Sequence, residues 1–254
     1  MNTSSNIDSD IISVFKDRSV IFLPSLFAPS FCKDVRNYIL KHELDIIKSY
    51  SSDKRGLVCE KVDNISRIKY FEYPFHYDSR FFGSFLCSKV FTLASSLLNS
   101  DVRFVSAEIH SRFSGATEIP PHQDNAYYGL NDGNALTFYI ALDEQSPLTG
   151  GLQYLYNPIT DEFLHHVSAS PGFSLTIAER STVFRLPLFS PVYSSGDCSI
   201  HHSRSIHFAN PVPSGTSRSL VFRLSFYSTS SEVIPEHEER YNKAILCNRN
   251  SSQN

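Results

Sequence analysis

The chain lacks tryptophan altogether, and its five cysteines stand far apart, at Cys32, Cys59, Cys87, Cys198 and Cys247. No pair has the C-x-x-C spacing of a zinc knuckle, and an odd, scattered set does not make a disulfide framework. A reducing, cytoplasmic compartment is therefore expected. There is no run of Lys or Arg, and the net charge is only −3, which argues against an electrostatic nucleic-acid binder. No apolar run approaches the length needed to cross a bilayer. The Ser/Asn/Asp-rich start has no apolar h-region, so no secretory signal is expected. What the chain does have is phenylalanine, 20 copies in 254 residues, so a Phe-rich core is expected. The length suits one large domain, 1–254, with a core over about 19–228 and polar tails.

Hydrophobic periodicity divides the chain. Ser19 to Phe27 reads as a short buried strand broken near Pro24. A helix is predicted over 30–48, capped by Ser30, with Phe31, Val35, Tyr38/Ile39 and Leu44/Ile46 approximating one apolar face. Residues 51–67 read as a loop or irregular hairpin, and Lys69 to Tyr77 as extended. A second helix is predicted from Asp78 to Asn99, where Phe82, Phe85, Val90, Leu93 and Leu97 recur at helical spacing. From Asp101 to Tyr227 the signals are almost all β: 101–113, Leu136–Leu142, Gly151–Tyr156, Phe173–Ile177, Val183–Phe184, Cys198–His202 and Leu220–Tyr227. Many short strands preceded by helices predict a mainly β fold with flanking helices, a sandwich or jelly roll. A short helix is expected within Glu232–Leu246, before a polar tail.

The chemistry centres on Pro120-Pro121-His122-Gln123-Asp124. In an extended strand, residues two apart point to one face, so the His122 imidazole and the Asp124 carboxylate would converge. With one more His they would form the two-His-one-carboxylate set that holds Fe(II) and leaves coordination positions open. Three candidates for that His follow in Gly196–Arg218: His201, His202 and His207. Downstream, alternation puts Arg218 on the apolar face of a strand with Leu220, Phe222, Leu224 and Phe226. A guanidinium there needs a partner. That partner is either a protein carboxylate or a ligand carboxylate gripped bidentately.

These residues resemble the phytanoyl-CoA dioxygenase family of Fe(II)- and 2-oxoglutarate-dependent oxygenases. The likeness runs from about Ser19 to Tyr227. It is carried by His122-Gln123-Asp124, Gly150-Gly151-Leu152, Gly196-Asp197, His207, Asn210, and the eleven-residue step from His207 to Arg218. The resemblance implies a double-stranded β-helix of two facing sheets. It implies iron held by His122, Asp124 and His207, with Arg218 on the distal carboxylate of 2-oxoglutarate and O₂ as the second cosubstrate. Tyr139 is expected beside the cosubstrate, and Thr137 is offered as a further donor to it. His201 and His202 are expected to be structural or to support the ligands, and Asn210 to brace an imidazole. The Gly-Ser-His that follows Gly-Gly-Leu in many relatives is missing; His165-His166 comes later.

Retention of Asp124 favours hydroxylation over halogenation, and desaturation, epoxidation and ring chemistry draw on the same oxidant. Arg112, Asn125, Tyr127 and Tyr128 flank the metal pair and suit a small polar or anionic substrate, with packing as the alternative for the two tyrosines. Neither a nucleic-acid nor a membrane partner is expected. Two other readings compete: a cupin-type metalloenzyme without 2-oxoglutarate, and a non-catalytic jelly-roll binding domain. Arg218 argues against the first and the complete ligand set against the second.

Overall fold

The computed structural model describes residues 9–160, 163–167, 175–237 and 239. It opens with a helix without counterpart in the sequence reading, α1 (Ser9–Arg18), leading into β1 (Val20–Leu23). Helix α2 runs Pro29–Ser49. Pro29, not Ser30, sets its start: proline's fixed φ suits the first helical position, where its missing N–H costs nothing. Within 51–67 lie α3 (Ser52–Val58), β2 (Cys59–Val62) and part of β3 (Ile65–Ile68). The two-residue connection Asp63-Asn64 has positive φ at both positions, the geometry that matches hairpin twist. Strand β4 (Tyr70–Glu72) follows, then α4 (Pro74–Tyr77). The second predicted helix is divided into α5 (Ser79–Gly83) and α6 (Ser88–Leu98). Asp78 caps α5 by accepting from Phe81 N, and Asn99 ends α6 in the left-handed region.

The rest is mostly strand: β5 (Val102–Arg112), β6 (Ile119–His122), a short helix α7 (Asn125–Tyr128), β7 (Ala135–Ala141), β8 (Leu152–Leu155), β9 (His166–Val167) and β10 (Thr176–Ile177). A helical turn α8 (Arg180–Val183) stands where a strand was predicted at Val183–Phe184. Then come β11 (Leu188–Phe189), β12 (Cys198–His202), β13 (Ile206–Ala209) and β14 (Ser219–Ser228). Phe173 and most of the expected C-terminal helix lie outside the described residues. Of that expected helix, Val233 instead forms a bridge with Leu130.

Six strands form one sheet in the order β1-β12-β7-β14-β5-β4, and four form another in the order β11-β8-β13-β6. Val20, Tyr139, Ala141 and Val221 of the first pack with Leu152, Tyr154 and Ala209 of the second. This is the double-stranded β-helix, with helices on its outside. The larger apolar core lies between the six-stranded sheet and the helices, where Phe222 meets Phe85 with ring centroids 4.1 Å apart. Strand β6 carries two consecutive prolines and so reads poorly as a strand; it lies at a sheet edge, where a missing N–H is tolerated. Among the described residues no helix is long and apolar enough to cross a membrane. The four described cysteines are unpaired thiols.

Candidate metal centre and cavity

His122 ends β6, and His207 lies directly opposite it in the antiparallel pair β6–β13, with ring centroids 4.2 Å apart. Cross-strand neighbours face the same side, so the ladder itself aims both imidazoles into the space between the sheets. Asp124 joins them by a different route from the extended strand expected. The strand stops at His122, and Asp124 has helical backbone angles (φ −58, ψ −28) at the entry to α7. Its Oδ1 lies 3.7 Å from His122 Nε2 and 3.5 Å from His207 Nε2. One candidate ligand atom from each residue falls within 4.8 Å of the others, and all three residues are buried.

The protonation pattern suits a metal. His122 Nδ1 lies 2.9 Å from Pro120 O, and His207 Nδ1 lies 3.1 Å from Ser205 O. A carbonyl oxygen only accepts, so each Nδ1 carries a proton, and each Nε2 is the ring atom turned toward Asp124. Burial, with His207 alongside, holds His122 well below the usual imidazole range and so keeps it neutral. Burial pushes the Asp124 carboxyl up, but Arg223 and His207 outweigh it and hold the group well below the usual carboxylate range.

Asp124 Oδ2 is heavily bonded. Thr137 Oγ1 lies at 3.0 Å, and Tyr128 OH, His201 Nε2 and Arg223 Nη2 each lie at 3.2 Å. His201 is completely buried, and its Nδ1 lies 3.3 Å from Tyr154 OH. Burial lowers the His201 pKa to about 4, so it stays neutral and donates through Nε2.

The sequence-derived candidates separate clearly. Thr137 and Tyr128 stand behind the carboxylate. Asn125 exchanges hydrogen bonds with the Leu130 backbone and shapes the turn after α7. Tyr127 donates to Leu175 O and meets His122 edge-on at 5.7 Å. Asn210 donates to Pro147 O and braces no imidazole. His202 accepts from Arg204 N, away from the ligand oxygens. His166 Nε2 accepts from Gln123 N, which ties the missing-motif region to the ligand segment.

Arg218 is placed differently from the reading that put it on the metal side. Its strand face is buried, but against the helices. Nη1 pairs with Glu43 Oε1 at 2.7 Å, Nη2 donates to Ile68 O and Ser111 Oγ, and the guanidinium lies over Phe113. The partner is thus the protein carboxylate, one of the two alternatives left open by the alternation pattern. The face toward the metal is the more polar one, with Ser219, Val221, Arg223 and Ser225. Sequence reasoning missed Arg223 because it took the apolar face, with Arg218, as the one turned inward. The signal was present: an Arg on the polar face of a strand whose other face is filled with Leu and Phe.

A cavity of about 270 Å³ opens beside the triad and includes His122, His207, Tyr139, Arg112, Arg223 and His110. Glu108 accepts from His110 at 2.6 Å. Burial pushes Glu108 up, but His110 and Arg223 bring its pKa to about 2. Burial, opposed by Glu108, holds His110 below its usual range.

The phytanoyl-CoA dioxygenase family model matches residues 21–220. The chain belongs to that family. Its members use iron and 2-oxoglutarate, and the donor set here suits the metal. A search of curated proteins by sequence gave no match. Among solved structures, the chain is similar to EvdO2 from Micromonospora carbonacea var. aurantiaca at 18% identity, with 92% of this chain and 96% of that one covered and a TM-score of 0.70. It is similar to iron-bound EctD from S. alaskensis at 14% identity, covering 92% and 81%, TM-score 0.71. The epimerase SnoN from nogalamycin biosynthesis, solved with Fe3+ and alpha ketoglutarate, is 15% identical, covering 89% and 85%, TM-score 0.68.

Proposed function

We propose that this member of the Fe(II)/2-oxoglutarate oxygenase family hydroxylates a C–H bond of a small polar or anionic metabolite. The observation that carries the reading is the complete, buried His122/Asp124/His207 set opening onto a cavity lined by cations and tyrosines. When bound, iron and 2-oxoglutarate supply an oxidant able to break an unactivated C–H bond, with succinate and CO₂ as co-products.

The chain's own residues do the rest. His122 and His207 present Nε2, and their backbone hydrogen bonds fix the ring planes. Asp124 presents Oδ1, while the groups bonded to Oδ2 stop the carboxylate from turning. The two histidines and Asp124 are each at most 5% exposed, so bulk water is kept from the metal ligands. The cavity volume sits near the lower end of small-molecule sites, which supports a small substrate. Lys69 and Arg112, with Tyr70 and His110, give hydrogen-bonding character to a wall that Glu60 and Glu118 also line, which supports a polar substrate. Asp124 fills the carboxylate position, which supports hydroxylation over halogenation.

The test is succinate formation from 2-oxoglutarate under Fe(II) and O₂, screened over small polar and anionic metabolites, with product mass read in parallel. Hydroxylation gives a product heavier by one oxygen atom. A product lighter by two hydrogens would replace hydroxylation with desaturation, and an unchanged mass with altered stereochemistry would replace it with epimerisation.

A further inference from the structure

We propose that Arg112, rather than Arg218, anchors the distal carboxylate of 2-oxoglutarate. The inference rests on the oxygenase reading above and concerns how this chain grips the cosubstrate. The eleven-residue step from His207 places the family's arginine at Arg218, yet that guanidinium is behind the sheet, paired with Glu43 and bonded to Ser111 and Ile68 O. The position at the start of β14 that shares the cavity side with Val221 is Ser219, which has no cation to offer. Its direct cross-strand partner is Arg112, at the end of β5. The cationic group is therefore moved across one strand and kept at the same level of the ladder.

Arg112 has the attributes of an anchor. It lines the same cavity as His122, His207 and Tyr139. Its Nη2 donates to Thr117 O and Asn210 O at 2.9 and 2.8 Å, which orients the guanidinium without neutralising it. No ion pair joins it to a carboxylate among the described residues. Its Nε is buried without a hydrogen-bond partner among the described residues, so the guanidinium is held from its Nη2 side alone. Gly150 packs close against Nε, where a Cβ would come within 3.0 Å of it, so the group left to meet a ligand in the cavity is Nη1, which makes no hydrogen bond among the described residues.

The two other cations in the cavity are less suited. Arg223 is committed to Asp124 and Glu108. The Lys69 ammonium lies over the Tyr70 ring beside the edge strand β4, without a second group among the described residues to orient it.

The experiment compares 2-oxoglutarate with 2-oxopentanoate, which has the same carbon chain but a methyl group in place of the distal carboxylate. Binding is measured calorimetrically to the anaerobic Fe(II) protein, so no turnover is needed. Wild type should prefer 2-oxoglutarate. Arg112→Gln should lower that preference by roughly 10- to 100-fold, the range expected for a charge-assisted pair, while leaving 2-oxopentanoate binding and iron content unchanged. Arg112→Lys should restore part of the preference. Arg218→Gln should leave the preference intact. If Arg112→Gln keeps the full preference, or if Arg218→Gln or Lys69→Met abolishes it, the assignment is overturned. If wild type binds iron but neither keto acid, the oxygenase reading itself falls and this inference falls with it. Should Arg112→Gln not fold, Arg112→Lys decides alone, with an unchanged preference counting against the anchor.

Discussion

Asp124 divides its two oxygens between two tasks. Oδ1 faces the two imidazoles, and Oδ2 is held by Thr137, Tyr128, His201 and Arg223. A carboxylate held in this way presents one orientation to a metal, so removing a holder should loosen the metal without removing a ligand. We expect Arg223→Met to weaken Fe(II) binding by roughly 10- to 100-fold, the usual cost of losing a group that positions a ligand, as measured by anaerobic metal titration. His207→Ala should abolish stoichiometric iron binding, whereas His202→Ala should retain it, since His202 bonds to the Arg204 backbone and not to the ligand set. Equal loss in both variants would make the ligand assignment wrong. His122 and Asp124 could be picked out from their spacing, though not for the reason the spacing suggested. The strand ends between them, and a helical turn, not alternation, brings the carboxylate round.

Strand β14 shows where alternation runs out. Its period separates two faces correctly, but period alone does not say which face meets helices and which meets the opposite sheet. In a sheet covered on both sides, the apolar face marks packing and the polar one marks the cavity. That is why Arg218 was expected beside the metal and is found locking β14 to α2. Glu43, only 2% exposed, receives Arg218 on Oε1 and Arg67 on Oε2, and also accepts from Ile68 N. This cluster ties α2, β3 and β14 together. Glu43→Ala should destabilise the fold by about 3–5 kcal/mol, because the buried Arg218 would lose its counter-charge; denaturant unfolding measures it. A cost below about 1 kcal/mol would show the cluster to be incidental. The short strands β6, β9 and β11 were not readable from pattern: two to four residues give no period, and two prolines conceal β6. The long elements α2, β5, β7 and β14 were readable because each repeats its pattern several times.

Across the whole molecule, two cores share the six-stranded sheet. The outer one is built from phenylalanines, with Phe75, Phe82 and Phe85 around Phe222, as the composition led one to expect. The inner one carries the polar groups that chemistry requires. Buried neutral histidines make this inner region sensitive to acid. Burial, with Arg204 adding to it, lowers the His202 pKa to about 3, against 6.5 for the free imidazole. The unfolded chain therefore binds the extra proton first as pH falls. This contribution to stability is full above pH 6.5 and is lost progressively between 6.5 and about 3. Within that window His202 should contribute a slope of about 1.4 kcal/mol per pH unit. His202→Asn should flatten the stability–pH curve by that amount; an unchanged slope would show that His202 is charged in the folded protein.

The central claim is that His122, Asp124 and His207 form one iron site that accepts 2-oxoglutarate beside it. It is tested most directly by an anaerobic absorption titration of the metal-depleted protein, first with Fe(II) and then with 2-oxoglutarate. A keto acid chelating Fe(II) through its keto and carboxylate oxygens gives a weak visible charge-transfer band. One equivalent of iron is expected to bind, with a band that saturates with 2-oxoglutarate and is absent in His207→Ala. Iron binding without a band would contradict the cosubstrate, and failure to bind iron would contradict the site.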